Sequence, residues 1–194
     1  MKTALFAALS VLASALPAHA EWTLDNEASK LSFVSTKAGS AAEVHTFGAM
    51  EGEVDAEGNA TISIDLETVD TAIEIRDQRM RDMLFETSAY PTATLAAVVD
   101  LAAVEGIPVG ATDVVTAEGQ LGLHGTSVSL TIDMTVARLD EDRVLAISRN
   151  PLVVNASQVG LLAGVEKLRE IAGLPSISPA VPVTFVLAFE REGG

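Results

Sequence analysis

The chain has 194 residues, no cysteine, and 27 acidic side chains against 12 basic ones. A formal charge of −15 argues against nucleic acid and against anionic lipid head groups as partners. Without cysteine there is no disulfide and no acylated lipobox anchor, and the length suits one domain with a sizeable core.

Lys2 precedes an apolar Ala/Leu-rich run over residues 4–16, and Ala18-His19-Ala20 presents small residues at the two positions a signal peptidase reads. We expect a cleavable leader over residues 1–20, cleavage between Ala20 and Glu21, and a mature domain over residues 21–194. The run is too short to span a bilayer. The expected product is exported, periplasmic and without a stable membrane anchor. Loss of Lys2 leaves a charge of 11 − 27 = −16.

Trp22-Thr23-Leu24-Asp25 reads as a short strand, Asn26 to Ser29 as a turn, and Leu31, Phe33 and their neighbours as a second strand to Lys37. Residues 43–55 form one long extended run whose Gly48 and Gly52 allow a bend or bulge. After the turn signal Glu57-Gly58-Asn59, residues Ala60, Ile62, Ile64 and Leu66 alternate with Thr61, Ser63 and Asp65.

The period changes over residues 70–91. Met80, Met83 and Leu84 stand at i, i+3, i+4, while Asp77/Arg81 and Arg79/Asp82 can pair on the opposite face. We expect a charged helix over 76–85 that Tyr90-Pro91 stops. It could serve as a lid, a plug or a connector.

Strand alternation then resumes. Ala93, Leu95, Ala97, Val99 and Leu101 form one apolar face, and Val115, Ala117, Gly119, Leu121 and Leu123 the next. His124-Gly125-Thr126 turns into Val128, Leu130, Ile132, Met134 and Val136, and residues 144–148 return. Residues 157–172 are helical in period, with Val159, Leu162, Val165, Leu168 and Ile171 as a stripe and Gly173 as C-cap. Val183, Phe185, Leu187 and Phe189 face inward in a last strand.

About eight antiparallel strands and two short helices predict an all-β protein. Closure into a barrel hides every strand edge, and a barrel of about eight strands has room for side chains or one small ligand. Small inward residues (Ala60, Ala93, Ala97, Ala117, Gly119) leave space inside. A β-sandwich with a filled core is the alternative.

The chain resembles the YceI-like family of exported bacterial proteins over essentially its whole mature length. The resemblance rests on Trp22-Thr23-Leu24-Asp25 with Ser29 and Leu31-Ser32-Phe33, then His45-Thr46-Phe47-Gly48 with Gly52 and Val54. Its most specific block is Thr71, Arg76-Asp77, Met80-Arg81, Phe85 and Tyr90-Pro91, followed by Gly119, Leu121, His124-Gly125-Thr126 and Val128. The resemblance implies a lipocalin-like antiparallel barrel that binds a long apolar molecule such as a polyisoprenoid, an isoprenoid quinone or a fatty amide. The helical insert over residues 157–178 departs from the family pattern and bears on the shape of one barrel mouth. The candidate ligand-binding residues are Phe33, Phe47, Ile62, Ile64, Met80, Met83, Leu84, Phe85, Leu95, Val99, Leu121, Leu130, Ile132, Met134, Phe185 and Leu187.

His45 and His124 are read as a strand and a turn histidine, with neither a catalytic nor a metal role, since no third ligand or nucleophile motif accompanies them. The arginines of 76–81 read as ion-paired structure. No cofactor is expected beyond a bound isoprenoid lipid or quinone. Three functions stay open: a carrier or sequestering protein for one apolar lipid, an enzyme acting on such a lipid or quinone, and a filled-core, stress-related interaction module. Homodimerisation is left open.

Overall fold

The computed structural model describes residues 20–191. The expected leader lies outside the described residues except for Ala20. The strands are β1 (Ala20–Lys37), β2 (Ala41–Phe47), β3 (Met50–Asp55), β4 (Asn59–Asp65), β5 (Val69–Asp70), β6 (Thr92–Val98), β7 (Thr112–Leu123), β8 (Thr126–Arg138), β9 (Arg143–Ser148), β10 (Leu152–Asn155) and β11 (Ala180–Arg191). They form one sheet in the order β10-β11-β9-β8-β7-β6-β4-β3-β1-β2-β5, and β11 also pairs with β1. That last pairing closes β1, β3, β4, β6, β7, β8, β9 and β11 into an antiparallel barrel. Every strand of the ring then has two neighbours, so no backbone edge is left open there.

The two longest closing strands outrun the barrel. The first part of β1 pairs with β3 (Trp22↔Val54) and its last part with β2 (Phe33↔His45). Likewise β11 pairs with β9 through Val186 to Glu190 and with β10 through Ala180 to Val183. A four-stranded extension, β2-β1-β11-β10, thus rises from one rim. The chain switches partners at a bulge in β1 between Asp25 and Lys30. Asp25 Oδ1 accepts from the Glu27 and Ala28 amides, and Ser29 Oγ accepts from the Ala188 amide. Asn26 faces the break between β2 and β3, donating to Gly48 O and accepting from the Met50 amide. The expected turn at 26–29 is therefore a bulge inside one strand, because side chains here supply the hydrogen bonds that the irregular backbone loses. The expected single run over 43–55 is two strands for the same reason.

Three short helices complete the described fold: α1 (Glu74–Arg79), α2 (Leu101–Glu105) and α3 (Leu162–Ile171). α1 continues as a π-helical segment, Met80–Phe85, which ends on Glu86 in the left-handed region. Met80, Leu84 and Phe85 are buried from this segment, while Met83 is half-buried. The wider π turn places Leu84 and Phe85 together on the barrel side. Only two helices are expected from the periodicity. α2 is the addition, and it replaces the expected extension of a strand to Leu101. Asp100 accepts from the Ala103 amide and caps α2, a signal that the apolar alternation through Leu101 obscured.

Candidate functional site

The barrel interior has two unequal chambers. The narrow chamber, about 90 Å³, lies under α2 and is walled by Trp22, Val54, Ala60, Ala97, Ala117, Val136 and Val144 among others. Val104 of α2 caps it. The wide chamber, about 450 Å³, lies at the other end, between the barrel, the four-stranded extension, the π segment and α3. Its volume falls within the range of small-molecule sites.

The wall of the wide chamber follows strand alternation. On β1 the residues facing it are Leu31, Phe33, Ser35 and Lys37, and on β2 they are His45 and Phe47. Ile62 and Ile64 of β4, Ala93 and Leu95 of β6, Leu121 and Leu123 of β7, and Val181, Val183, Phe185 and Leu187 of β11 repeat the pattern. His45, Phe33, Phe47 and Phe85 form a chain of rings with successive centroid separations of 5.2, 5.3 and 5.9 Å. Such offset contacts hold the aromatic side of the chamber in shape.

Of the residues expected to bind ligand, Phe33, Phe47, Ile62, Ile64, Met80, Leu84, Phe85, Leu95, Leu121, Leu130, Phe185 and Leu187 all line the wide chamber. Val99, Ile132 and Met134 line only the narrow one. Ile62, Leu95, Phe185 and Leu187 face both, so they form the waist between the chambers. Met83 lines neither. It lies at the contact between the π segment and α3, where a Cβ on Gly164 would stand 2.7 Å from Met83 O and 2.8 Å from Leu84 Cα. Only glycine permits that approach.

The small inward residues also divide. Ala93 faces the wide chamber, and Ala60, Ala97 and Ala117 the narrow one. Gly119 opens no space, because a Cβ there would sit 3.2 Å from Leu95, Ile132 and the Ala96 carbonyl.

Several lining residues were not among the expected ligand-binding set. Val159, Leu161, Val165, Leu168 and Ala172 of the insert wall the wide chamber, with Leu152 and Val154 of β10. Of the expected stripe, Val159, Val165 and Leu168 do face the wall, whereas Leu162 and Ile171 are exposed and Leu161 and Ala172 line the chamber instead. The helical period was the available signal, and it marked the inward face except at Leu162 and Ile171.

The polar residues of this wall lie near the end of β1. Arg76 donates through Nη1 to Glu43, through Nε to Thr71 Oγ1 at 2.7 Å and through Nη2 to Thr71 O. Lys37 Nζ also reaches Glu43 Oε2 at 2.8 Å. The hydrogen bond from Lys37, with help from Arg76, holds the Glu43 carboxyl below the usual carboxylate range. Arg76 is thus ion-paired and anchored to protein groups through all three of its nitrogens. Arg81 likewise faces Glu67 at 3.8 Å. His45 is buried at 3% exposure, and its Nε2 lies 2.8 Å from Ser35 Oγ. Burial, and then the charge of Arg76, push its pKa down. His124 stands apart in the β7–β8 turn, its ring tilted against Tyr90 at a centroid distance of 4.3 Å and its Nε2 2.9 Å from Glu86.

The YceI-like domain model matches residues 22–189. The chain belongs to the YceI-like family. A polyisoprenoid binding domain from Saccharophagus degradans implicated in plant cell wall breakdown is 41% identical. It superposes with a TM-score of 0.87, covering 89% of this chain and 99% of that one. BcnA from Burkholderia cenocepacia matches at 21% identity and a TM-score of 0.66, covering 85% and 98%. The Campylobacter jejuni YceI protein matches at 16% identity and 0.55, covering 76% and 85%. The last two likenesses show the YceI-like fold alone. A comparison with curated protein sequences finds no match.

Proposed function

We propose that this YceI-like protein is an exported, periplasmic carrier or sequestering protein that holds one long apolar lipid of isoprenoid type. The observation that carries the reading is the 450 Å³ chamber of aliphatic and aromatic side chains inside a closed barrel. A filled-core module would close that space, since protein interiors pack with few voids larger than a water. Ile62, Leu95, Phe185 and Leu187 stand between this chamber and the narrow one, so a ligand whose tail reaches toward α2 displaces these side chains. The relative from Saccharophagus degradans, a polyisoprenoid binding domain, supports the same class of ligand.

Burial supplies the driving force. Apolar surface contributes about 25 cal/mol per Å², so a chain burying a few hundred Å² gains several kcal/mol before association costs. Met80 adapts to a flexible tail. The leader read from Ala18-His19-Ala20 supports export, and the acidic exterior keeps a loaded carrier dispersed.

Ser35 and His45 are the hydroxyl–imidazole pair on this wall that an enzyme reading would invoke. His45 Nδ1 has no protein partner, so no carboxylate orients the ring as a general base requires. The arrangement favours holding over turnover.

Native mass spectrometry of protein recovered from the periplasm tests the proposal. One isoprenoid lipid per chain, on a polypeptide that begins at Glu21, is the expected result. Protein that takes up no isoprenoid lipid under any condition would return the filled-core module to first place.

A further inference from the structure

Resting on the carrier reading, we infer that the ligand lies head-outward. Its chain fills the wide chamber, and a head bearing acceptor oxygens, a phosphate or a carbonyl group, sits at the mouth, where Arg79 donates hydrogen bonds to it.

Exposure locates the mouth. The side chains that line the chamber are buried or half-buried except for Ile73, Ile75 and Ala172. Ile73 and Ile75 are 48% and 54% exposed. They stand at the start of α1, and Ala172 stands at the end of α3. A residue that both lines a chamber and meets solvent marks its opening, so the chamber opens between these two helix ends. Leu174, Ile177 and Ser178 continue the wall after α3. Ile177 bridges to Lys37, and the Ser178 amide donates to Thr36 O, so this wall is tied to the end of β1.

The charges on the wall have one sign. Lys37, Arg76 and Arg79 line the chamber, and among the described residues no carboxylate does. With 27 acidic side chains against 12 basic ones, that grouping runs against the composition. Lys37 and Arg76 both bond to Glu43, which stands outside the lining. Arg81, on the next turn, faces Glu67. Arg79 has neither an ion pair nor a side-chain hydrogen bond among the described residues. Asp82 lies three residues further on, and the pair that this spacing allows does not form. Arg79 is therefore the cation of this wall with its donors unused.

The chemistry of the head follows. A guanidinium offers five N–H donors in a fixed fork and accepts nothing, so it seats acceptor oxygens and repels a cationic head. Arg79 is half-buried, which suits an aliphatic stem laid on the apolar wall and a charged end at the water. A head left at this mouth keeps much of its hydration. An inverted ligand would carry its head toward the narrow chamber, which no charged side chain lines, and would lose that hydration without compensation.

The test uses geranylgeranyl phosphate, geranylgeranylacetone and the oxygen-free hydrocarbon of the same chain. Delipidated wild-type protein should bind at least one oxygen-headed probe about fivefold to tenfold more tightly than the hydrocarbon, the worth of one net hydrogen bond. The phosphate in first place identifies an anionic head, and the ketone a neutral one. Arg79→Met should shrink the preference to within twofold, and Arg79→Lys should keep part of it. Arg81→Met removes the same charge from outside the chamber wall and should leave the preference intact. For orientation, a geranylgeranyl chain with a nitroxide at its head should broaden the wild-type amide NMR signals of Ile73 to Arg79 and of Ile177 and Ser178, and spare those of α2. This readout needs no variant to fold. Equal binding of all three probes, a preference that survives Arg79→Met, or broadening at α2 instead would each overturn the head-outward seat while the carrier reading stands. Binding of none of the three would sink the carrier reading, and the seat with it.

Discussion

The two ends of this barrel obey the same alternation and hold different contents. At the narrow end the walls converge on Trp22, Phe189 and Val136, and α2 closes the opening with Val104. Arg191 lies over the Trp22 ring at 4.6 Å and bonds to Glu105 of α2 at 2.6 Å. Arg138 Nη1 also reaches the carbonyls of Glu105 and Ile107. At the wide end the cover is helical. Strands β1 and β11 run on past the rim, and two helical segments from distant parts of the chain, Met80–Phe85 and α3, meet across the gap. The contrast teaches that strand alternation makes a wall and says nothing about capacity. What covers each end sets the volume, five times larger under α3 than under α2 (450 against 90 Å³).

The largest effect should come from removing the wide end's cover. Met80 is buried in the chamber wall, and Met80→Asp places an unpaired carboxylate there. We expect a loss of several kcal/mol, or expulsion of the π segment, with a lower melting temperature and loss of retained ligand. Met83→Asp, on the half-buried neighbour outside the chamber, should cost much less. Equal melting temperatures for the two variants would show that the segment does not cover the interior.

Next in size is filling. Ala93→Phe intrudes into the wide chamber and Ala97→Phe into the narrow one. The first should lower ligand occupancy at least tenfold. The second should shorten the accepted chain and cost about 1–3 kcal/mol of overpacking. Occupancy by mass spectrometry and unfolding by denaturant measure the two. If Ala93→Phe folds and carries the same lipid in equal amount, the ligand does not occupy the wide chamber.

Gly164→Val probes the seam between the two covers. Its Cβ has no room beside Met83 O and Leu84 Cα, so α3 must lift. We expect about 1–3 kcal/mol of destabilisation and faster ligand release, followed by exchange of a labelled lipid. The same substitution at Gly110, whose Cβ meets nothing within 4 Å, leaves ligand exchange unchanged and shows only the strain of its positive φ.

The smallest effect is the pH dependence of the wide end. The folded pKa of His45 lies below its ordinary value of about 6.5, so the unfolded chain binds more protons in that window. The stability from a neutral His45 is therefore complete above about pH 6.5 and declines as pH falls toward the lowered folded value. Glu43 and Asp55, held below the usual carboxylate range, lose their contribution only at lower pH, through their own depressed values. The melting temperature of the wild type should fall on acidification from about pH 7 to about pH 5, and His45→Phe should flatten that slope. Parallel profiles would mean that His45 titrates alike in both states.

The alternation of Ile62/Ile64, Leu121/Leu123, Leu130/Ile132/Met134 and Phe185/Leu187 was readable because a period of two has only two phases, and polar partners mark the outer one. The barrel, its inward faces and the helix before Tyr90-Pro91 follow from such local signals. Three features depend on contacts between residues far apart in sequence. The bulge at 26–29 is held by Asp25 on its own Glu27 and Ala28 amides and by Asn26 and Ser29 on distant backbone at Gly48, Met50 and Ala188. The phase of α3 is set by Gly164 pressing on the π segment, which turns Leu161, Val165 and Leu168 inward and leaves Leu162 outside. The assignment of Ile132, Met134 and Val99 to the narrow chamber, and of Phe33 and Phe47 to the wide one, follows from where each residue falls along the length of the barrel. Sequence alone determined which side chains face inward, because alternation is a property of one strand. Only the tertiary structure decided how much space they enclose, because a volume belongs to surfaces that meet from distant parts of the chain.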